Sequence, residues 1–178
     1  MDKITFITGN VAKAEYLAKT INMPIAHQKV ELDEIQSLDL EKIAEHKAKQ
    51  AYDILKTPVL VDDASLRFDC MGNLPGPFIR WFIDEIGNEK ICKMISGDRS
   101  AYTEICFGLY DGKELKLFKP GIKGRIAESP RGENGFGYDM IFIPEGYDKT
   151  WAEMDDEEKS KTFLRNRAYK EIEEYLKK

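Results

Sequence analysis

Lys3-Ile4-Thr5-Phe6-Ile7-Thr8-Gly9-Asn10-Val11-Ala12-Lys13 begins as a short apolar, β-rich run, passes through a glycine turn and enters a helical pattern. Ile4 to Ile7 has the composition of a buried strand. Ala14, Leu17, Ala18 and Ile21 then recur at helical spacing, so the stretch reads strand, turn, helix. That layout aims the unpaired N–H groups of a helix N-terminus at an anion, and Lys13 in the first turn can neutralise a phosphate there. Thr8 and Asn10 are equally suited to ordinary helix capping. The spacing departs from G-x-x-x-x-G-K-[ST], which excludes a Walker-type loop.

Outward from this unit, strands and helices alternate. A second strand is expected over residues 25–30. Residues 40–55 place Ile43, Ala44, Ala48, Ala51 and Leu55 on one helical face, and Thr57-Pro58 ends the pattern. Val59-Leu60-Val61 reads as a buried strand ending in Asp62-Asp63. Leu74-Pro75-Gly76-Pro77 is a rigid turn, followed by helices over 78–86 and 89–95. Alternation in 102–110 and 114–118 across Asp111-Gly112 predicts a β-hairpin. Residues 123–127 and 140–143 are further strands, and 155–176 reads as one charged helix. The fold class is therefore α/β, with a mixed twisted sheet flanked by helices, in a single domain spanning residues 1–178.

With a net charge of −5, the chain offers no broad surface for polymeric nucleic acid, so any phosphate-binding lysines must act locally. Cys70, Cys92 and Cys106 are odd in number and lack metal-ligand spacing, which suits reduced thiols in the cytoplasm. His27 and His46 are too few for a histidine-rich metal centre. No run reaches membrane length, and no membrane partner is expected.

The acidic residues suggest where chemistry sits. Asp63 follows a hydrophobic strand, where open α/β sheets bind ligands. Glu34 lies in the acidic stretch Glu31-Leu32-Asp33-Glu34, in which Asp33 reads as a solvated turn residue. Carboxylates from separate loops can hold Mg²⁺, which shares its oxygen ligands with phosphates. Lys47, among Lys42 and Lys49, reads by pattern as part of an exposed face, and Lys159 and Arg165 as solvated surface. Pro130-Arg131-Gly132-Glu133-Asn134-Gly135-Phe136-Gly137-Tyr138-Asp139 is either a turn-rich loop feeding a strand or a platform for a flat ligand. In the second case an aromatic stacks on a base and the carboxylate accepts ring N–H groups.

Taken in order, T-G-N-x-x-K, the acid at Glu34, V-D-D, L-P-G-P-F-I-R-W-F, P-R-G-x-x-G-F-G-Y-D, T-W-A-E-M and K-x-x-x-x-x-R-x-R-A resemble the inosine triphosphate pyrophosphatase family, in the version of its eukaryotic-type members. The resemblance implies an elongated two-lobed α/β domain with a deep central cleft, a homodimer, and Mg²⁺-dependent hydrolysis of deaminated purine nucleoside triphosphates to monophosphate and pyrophosphate. It assigns Thr8, Asn10 and Lys13 to the triphosphate and Lys47 to a phosphate. Glu34 and Asp63 become the metal-linked carboxylates, with Asp63 also orienting water. Phe136 stacks on the base, Asp139 bonds its ring N–H groups, and Lys159 and Arg165 close over base and phosphates.

The chain departs from that pattern in three places. Phe163-Leu164-Arg165 stands where family members usually carry Ser-His-Arg, so the donor that helps recognise a 6-oxo purine is replaced by leucine. Asp62 is shorter than the usual glutamate, and Ala64, where a small or hydroxyl residue is usual, offers no hydroxyl. A retained pyrophosphatase with altered base preference is expected. The alternatives are a catalytically silent nucleotide-binding protein and a pyrophosphatase for a different base.

Overall fold

A computed structural model describes residues 4–21 and 25–177. Lys3, which the sequence reading includes in the first strand, lies outside the described residues. The elements run β1 (Ile4–Ile7), α1 (Val11–Thr20), β2 (Ile25–Gln28), α2 (Leu40–Leu55), β3 (Val59–Phe68), β4 (Pro75–Gly76), α3 (Ile79–Met94), β5 (Ser100–Tyr110), β6 (Leu115–Phe118), β7 (Gly121–Ile126), β8 (Phe142–Pro144), α4 (Asp156–Thr162) and α5 (Leu164–Leu176). The sheet is mixed, in the order β2-β1-β3-β5-β7-β8, with β4 on β3 and β6 on β5. Strands β1, β2 and β3 are parallel, whereas the β5–β6, β5–β7 and β7–β8 pairs are antiparallel.

The chain divides into two compact units. The first comprises Met1–Ala64, Ile105–Pro120 and Arg165–Lys178, and the second Ser65–Glu104 and Gly121–Leu164. In the first unit, α2 begins at Asp39, whose carboxylate accepts the Glu41 and Lys42 N–H groups, and ends where Lys56 turns left-handed. Its alanines serve close packing. A Cβ on Gly108 of β5 would lie 3.2 Å from the Ala44 carbonyl oxygen, so small residues on both sides bring helix and strand together. Ala48 and Ala51 join Ile7, Val59 and Val61 in one core cluster. Tyr169 of α5 packs edge-on against Phe107 of β5, and Phe107 lies beside Phe6.

In the second unit, α3 breaks at Gly87 (φ 75°, ψ 158°), so its two parts match the two helices expected from sequence. Trp151 centres the core, packed on Phe142 and Phe163, with its indole N–H donated to Thr162 Oγ1 at 3.0 Å. Arg99 gathers four backbone carbonyls, those of Cys92, Ile95, Ile126 and Ala127.

Several expectations need correction. The third strand does not end at Asp62-Asp63: β3 runs on to Phe68, its far half pairing with β4 through Leu66 and Arg67. The carboxylates are tolerated in mid-strand because cations neutralise them. Leu74-Pro75-Gly76-Pro77 is not only a turn, since Pro75 and Gly76 form β4. The eighth strand starts at Phe142 rather than Met140, because the Ile141 and Phe142 N–H groups are both spent on the Tyr138 carbonyl. The charged C-terminal helix is two helices, separated at Phe163, whose extended backbone (φ −69°, ψ 119°) ends α4.

Candidate active site

The first unit concentrates charge where β1, α1, α2, β3 and α5 contribute. Thr8 Oγ1 accepts the Asn10 N–H and Asn10 Oδ1 accepts the Lys13 N–H, each at 3.1 Å, so these side chains form the N-cap of α1. The cap sets Lys13 in the first turn with its Nζ 2.9 Å from Asp62 Oδ2. The same carboxylate oxygen lies 2.9 Å from Arg165 Nη1. Asp62 and Arg165 are each only 4 % exposed. Lys47 Nζ donates to Asp63 Oδ2 at 2.9 Å and to the Asp62 carbonyl at 3.1 Å, while Asp63 Oδ1 accepts the Ala64 N–H at 2.9 Å. Tyr16 Oη donates to Asn166 Oδ1 at 2.6 Å, tying α1 to α5.

This cluster has an unbalanced electrostatic character. Burial alone would raise the Asp62 carboxyl, but Lys13, Arg165 and Lys47 outweigh it and hold it well below the usual carboxylate range. Burial lowers Lys13 below the ordinary lysine value; Asp62 restores part of that and Arg165 opposes it. For Lys47 the burial penalty is overcome by Asp63 and Asp62, and it ends above the ordinary value. Arg165 is likewise raised because Asp62 and Tyr169 outweigh its desolvation. The Tyr169 hydroxyl is pushed up to about 12, chiefly by burial. Three cations thus converge on two carboxylates.

Glu34 is exposed in the coil between β2 and α2, and its charge helps raise Lys47. Its neighbour Asp33 anchors that coil: the Asp33 N–H donates to Gln50 Oε1 at 2.8 Å, and Gln50 Nε2 donates to Asp33 Oδ2 at 3.0 Å. Among the described residues no group of three or more His, Cys, Asp or Glu side chains is ready to hold a metal ion. Glu34 and Asp63, whose charges both act on Lys47, carry the oxygen ligands that a hard cation takes.

In the second unit, the glycine loop folds around Asp139. The Phe136 N–H donates to Asp139 Oδ2 at 3.2 Å, and Lys159 Nζ donates to the same oxygen at 3.3 Å and to the Asn134 carbonyl at 3.4 Å. Lys159 Nζ lies 4.7 Å from the Phe163 ring centroid, a cation–π seat. Gly135 is obligatory: at φ 120°, a Cβ there would lie 2.1 Å from Asp139 Oδ2. The two aromatics of the loop differ. Phe136 is half-buried, whereas Tyr138 is structural, its hydroxyl 2.8 Å from Thr103 Oγ1, which donates to the Ser65 carbonyl at 2.9 Å.

The structure therefore brings Lys13, Lys47, Asp63 and Arg165 together in one unit and Phe136, Asp139 and Lys159 together in the other. The solvated-surface reading of Lys159 and Arg165 is overturned, as both are buried. Lys47 is not an exposed-face lysine but an ion-paired one. Asp62 is the residue that sequence reading undervalued. The signal was present, since an acid directly after Val59-Leu60-Val61 in a buried strand requires a cation partner.

The chain matches the model of the Ham1 family over residues 4–175. It is 42 % identical over 172 residues to a protein of Trypanosoma cruzi named inosine triphosphate pyrophosphatase 2, covering 93 % of this chain and 88 % of that one. It is 41 % identical over 179 residues to the dITP/XTP pyrophosphatase of Saccharolobus solfataricus, covering 98 % and 93 %. Among solved structures, a HAM1 protein from Coxiella burnetii superposes with a TM-score of 0.85 at 25 % identity, covering 99 % of each chain. A family model spanning nearly every described residue, relatives above 40 % identity and a common fold lead to one assignment: the chain belongs to the Ham1 family.

Proposed function

We propose that this chain is a nucleoside triphosphate pyrophosphatase that sanitises the nucleotide pool, hydrolysing deaminated or modified purine triphosphates such as ITP, dITP and XTP to monophosphate and pyrophosphate. The observation that carries the reading is the convergence of Lys13, Lys47 and Arg165 on Asp62 and Asp63. Such a cluster suits a polyanion whose charge grows on the departing pyrophosphate. The relatives named for ITP and for dITP and XTP support the substrate class.

Glu34 and Asp63 would hold a Mg²⁺ ion, which when bound would supply Lewis-acid charge compensation. The first unit's side chains do the remaining work. Thr8, Asn10 and Lys13 receive the triphosphate at the N-terminus of α1. Asp63, fixed at one oxygen by Lys47 and at the other by the Ala64 N–H, orients the attacking water and accepts its proton. Lys13 and Lys47 offset charge on pyrophosphate as the bond to the α-phosphorus breaks. In the second unit Phe136 stacks on the base, Asp139 accepts its ring N–H groups, and Lys159 holds Asp139 in place.

Leu164 is 3 % exposed and has no donor to offer a 6-oxo group. A site that lacks a donor discriminates more weakly between 6-oxo and 6-amino purines. Leu164→His should therefore raise the ITP to ATP preference about tenfold or more; an unchanged ratio would remove this position from selectivity. We also place the enzyme in the cytoplasm as a homodimer joined through residues 74–82, where Leu74 and Trp81 are 44 % and 60 % exposed.

Pyrophosphate release with Mg²⁺ across ITP, dITP, XTP, dGTP, dATP and dUTP tests the function. Asp63→Asn should lower kcat at least about 100-fold by removing the proton acceptor. Turnover of none of these triphosphates by the wild-type protein would leave a silent nucleotide-binding protein instead.

A further inference from the structure

Phe136 sits between two glycines that are fixed in different ways. On one side Gly135 (φ 120°) is wedged against Asp139 and Lys159, with no room for a side chain. On the other side Gly137 (φ 64°) has open space, with nothing within 4 Å of where a Cβ would be. Glycine is the residue with the widest torsional range, so an unpacked Gly137 leaves the Phe136 ring poorly aimed unless something holds its peptide. Asn88 holds it: Nδ2 donates to the Gly137 carbonyl at 2.9 Å, across a separation of 49 residues.

Asn88 is placed for this by local backbone geometry. It follows Gly87, whose φ 75° and ψ 158° interrupt α3 in a conformation that L residues rarely adopt. Its Oδ1 is buried and has no hydrogen-bond partner among the described residues. An unpaired buried acceptor is costly. The side chain is thus kept where only its donor end is satisfied, and that donor serves the glycine loop.

We infer that Asn88 is a positioning residue for base recognition, acting through the Gly137 carbonyl to keep Phe136 in its stacking orientation. The inference rests on Phe136 being the base platform. Without Asn88 the loop spends less time in the competent conformation, and apparent affinity for the base falls in proportion to that fraction.

Two competitive inhibitors of Mg²⁺-dependent ITP turnover separate the base from the phosphates: inosine, which carries no phosphate, and pyrophosphate, which carries no base. Asn88→Asp removes the donor with little change of shape, and Asn88→Ala removes it without adding charge, so a folding defect in the first leaves the second to be read. Both should weaken inosine inhibition about fivefold or more while pyrophosphate inhibition stays within about twofold. Phe136→Ala, as the reference, should weaken inosine at least as much. Equal weakening of both inhibitors by the Asn88 variants would indicate general loosening and overturn the inference. Unchanged inosine inhibition in the Asn88 variants, with Phe136→Ala defective, would overturn it while leaving the base platform standing. An inosine constant unmoved by Phe136→Ala would overturn the platform reading, and this inference with it.

Discussion

At Lys13, burial and the Arg165 guanidinium both work against the ammonium, and Asp62 returns only part of what they remove. The sign of the consequence follows. A lysine whose value is lowered in the folded protein loses its proton at a pH below the ordinary 10.5, and a bound triphosphate, being negative, holds the proton on. KM for the triphosphate should therefore climb on the alkaline side before an ordinary lysine would titrate, by up to about tenfold per pH unit once the ammonium is lost. Lys13→Arg keeps the charge and should flatten that limb, which a KM profile from pH 7 to 10 will read. The sequence exposes Lys13 and Asp63 through their places beside a turn and a strand. It hides Lys47, Lys159 and Arg165, because helical periodicity identifies the apolar stripe but not which polar residue at its border faces a buried acid. That information lies in contacts such as Lys47 with Asp63, which are distant in sequence.

Among the elements, the glycine loop and the break at Phe163 do most to shape the surroundings of Asp139 and Lys159. Gly135→Ala forces a left-handed backbone onto an L residue and drives a methyl into Asp139 and Lys159. It should lower stability by about 1–3 kcal/mol and raise KM for ITP severalfold, with kcat less affected, in urea unfolding and steady-state assays. Helix α2 was legible, since its apolar face and its Thr57-Pro58 stop agree with the helix observed over Leu40–Leu55. The length of β3 was not, because two carboxylates look like the end of a strand until Lys13, Lys47 and Arg165 are seen beside them. The division of the C-terminal helix escaped for a similar reason. Phe163 suits a helix by composition and leaves it because Trp151 and Lys159 engage its ring.

For the molecule as a whole, the net charge of −5 coexists with a cationic cluster in which Arg165 is buried and Lys13 and Lys47 are half-buried. That arrangement favours a small polyanion able to enter the cluster over an extended polymer that would meet the acidic surface first. No helix among the described residues is long and apolar enough to cross a membrane. Trp81, at 60 % exposure, is a large apolar surface on a molecule otherwise well supplied with charge. On the proposed homodimer joined through residues 74–82, Trp81→Glu should turn a dimer into a monomer in sedimentation equilibrium while leaving the fold intact, since an unpaired carboxylate is costly in an apolar interface. Arg99, finally, makes one guanidinium the common anchor for carbonyls at the end of α3 and at and just beyond the end of β7. Segments tied at one such knot cannot fray separately: solvent deuterium should reach the amides of both at one shared rate, the signature of a single cooperative opening.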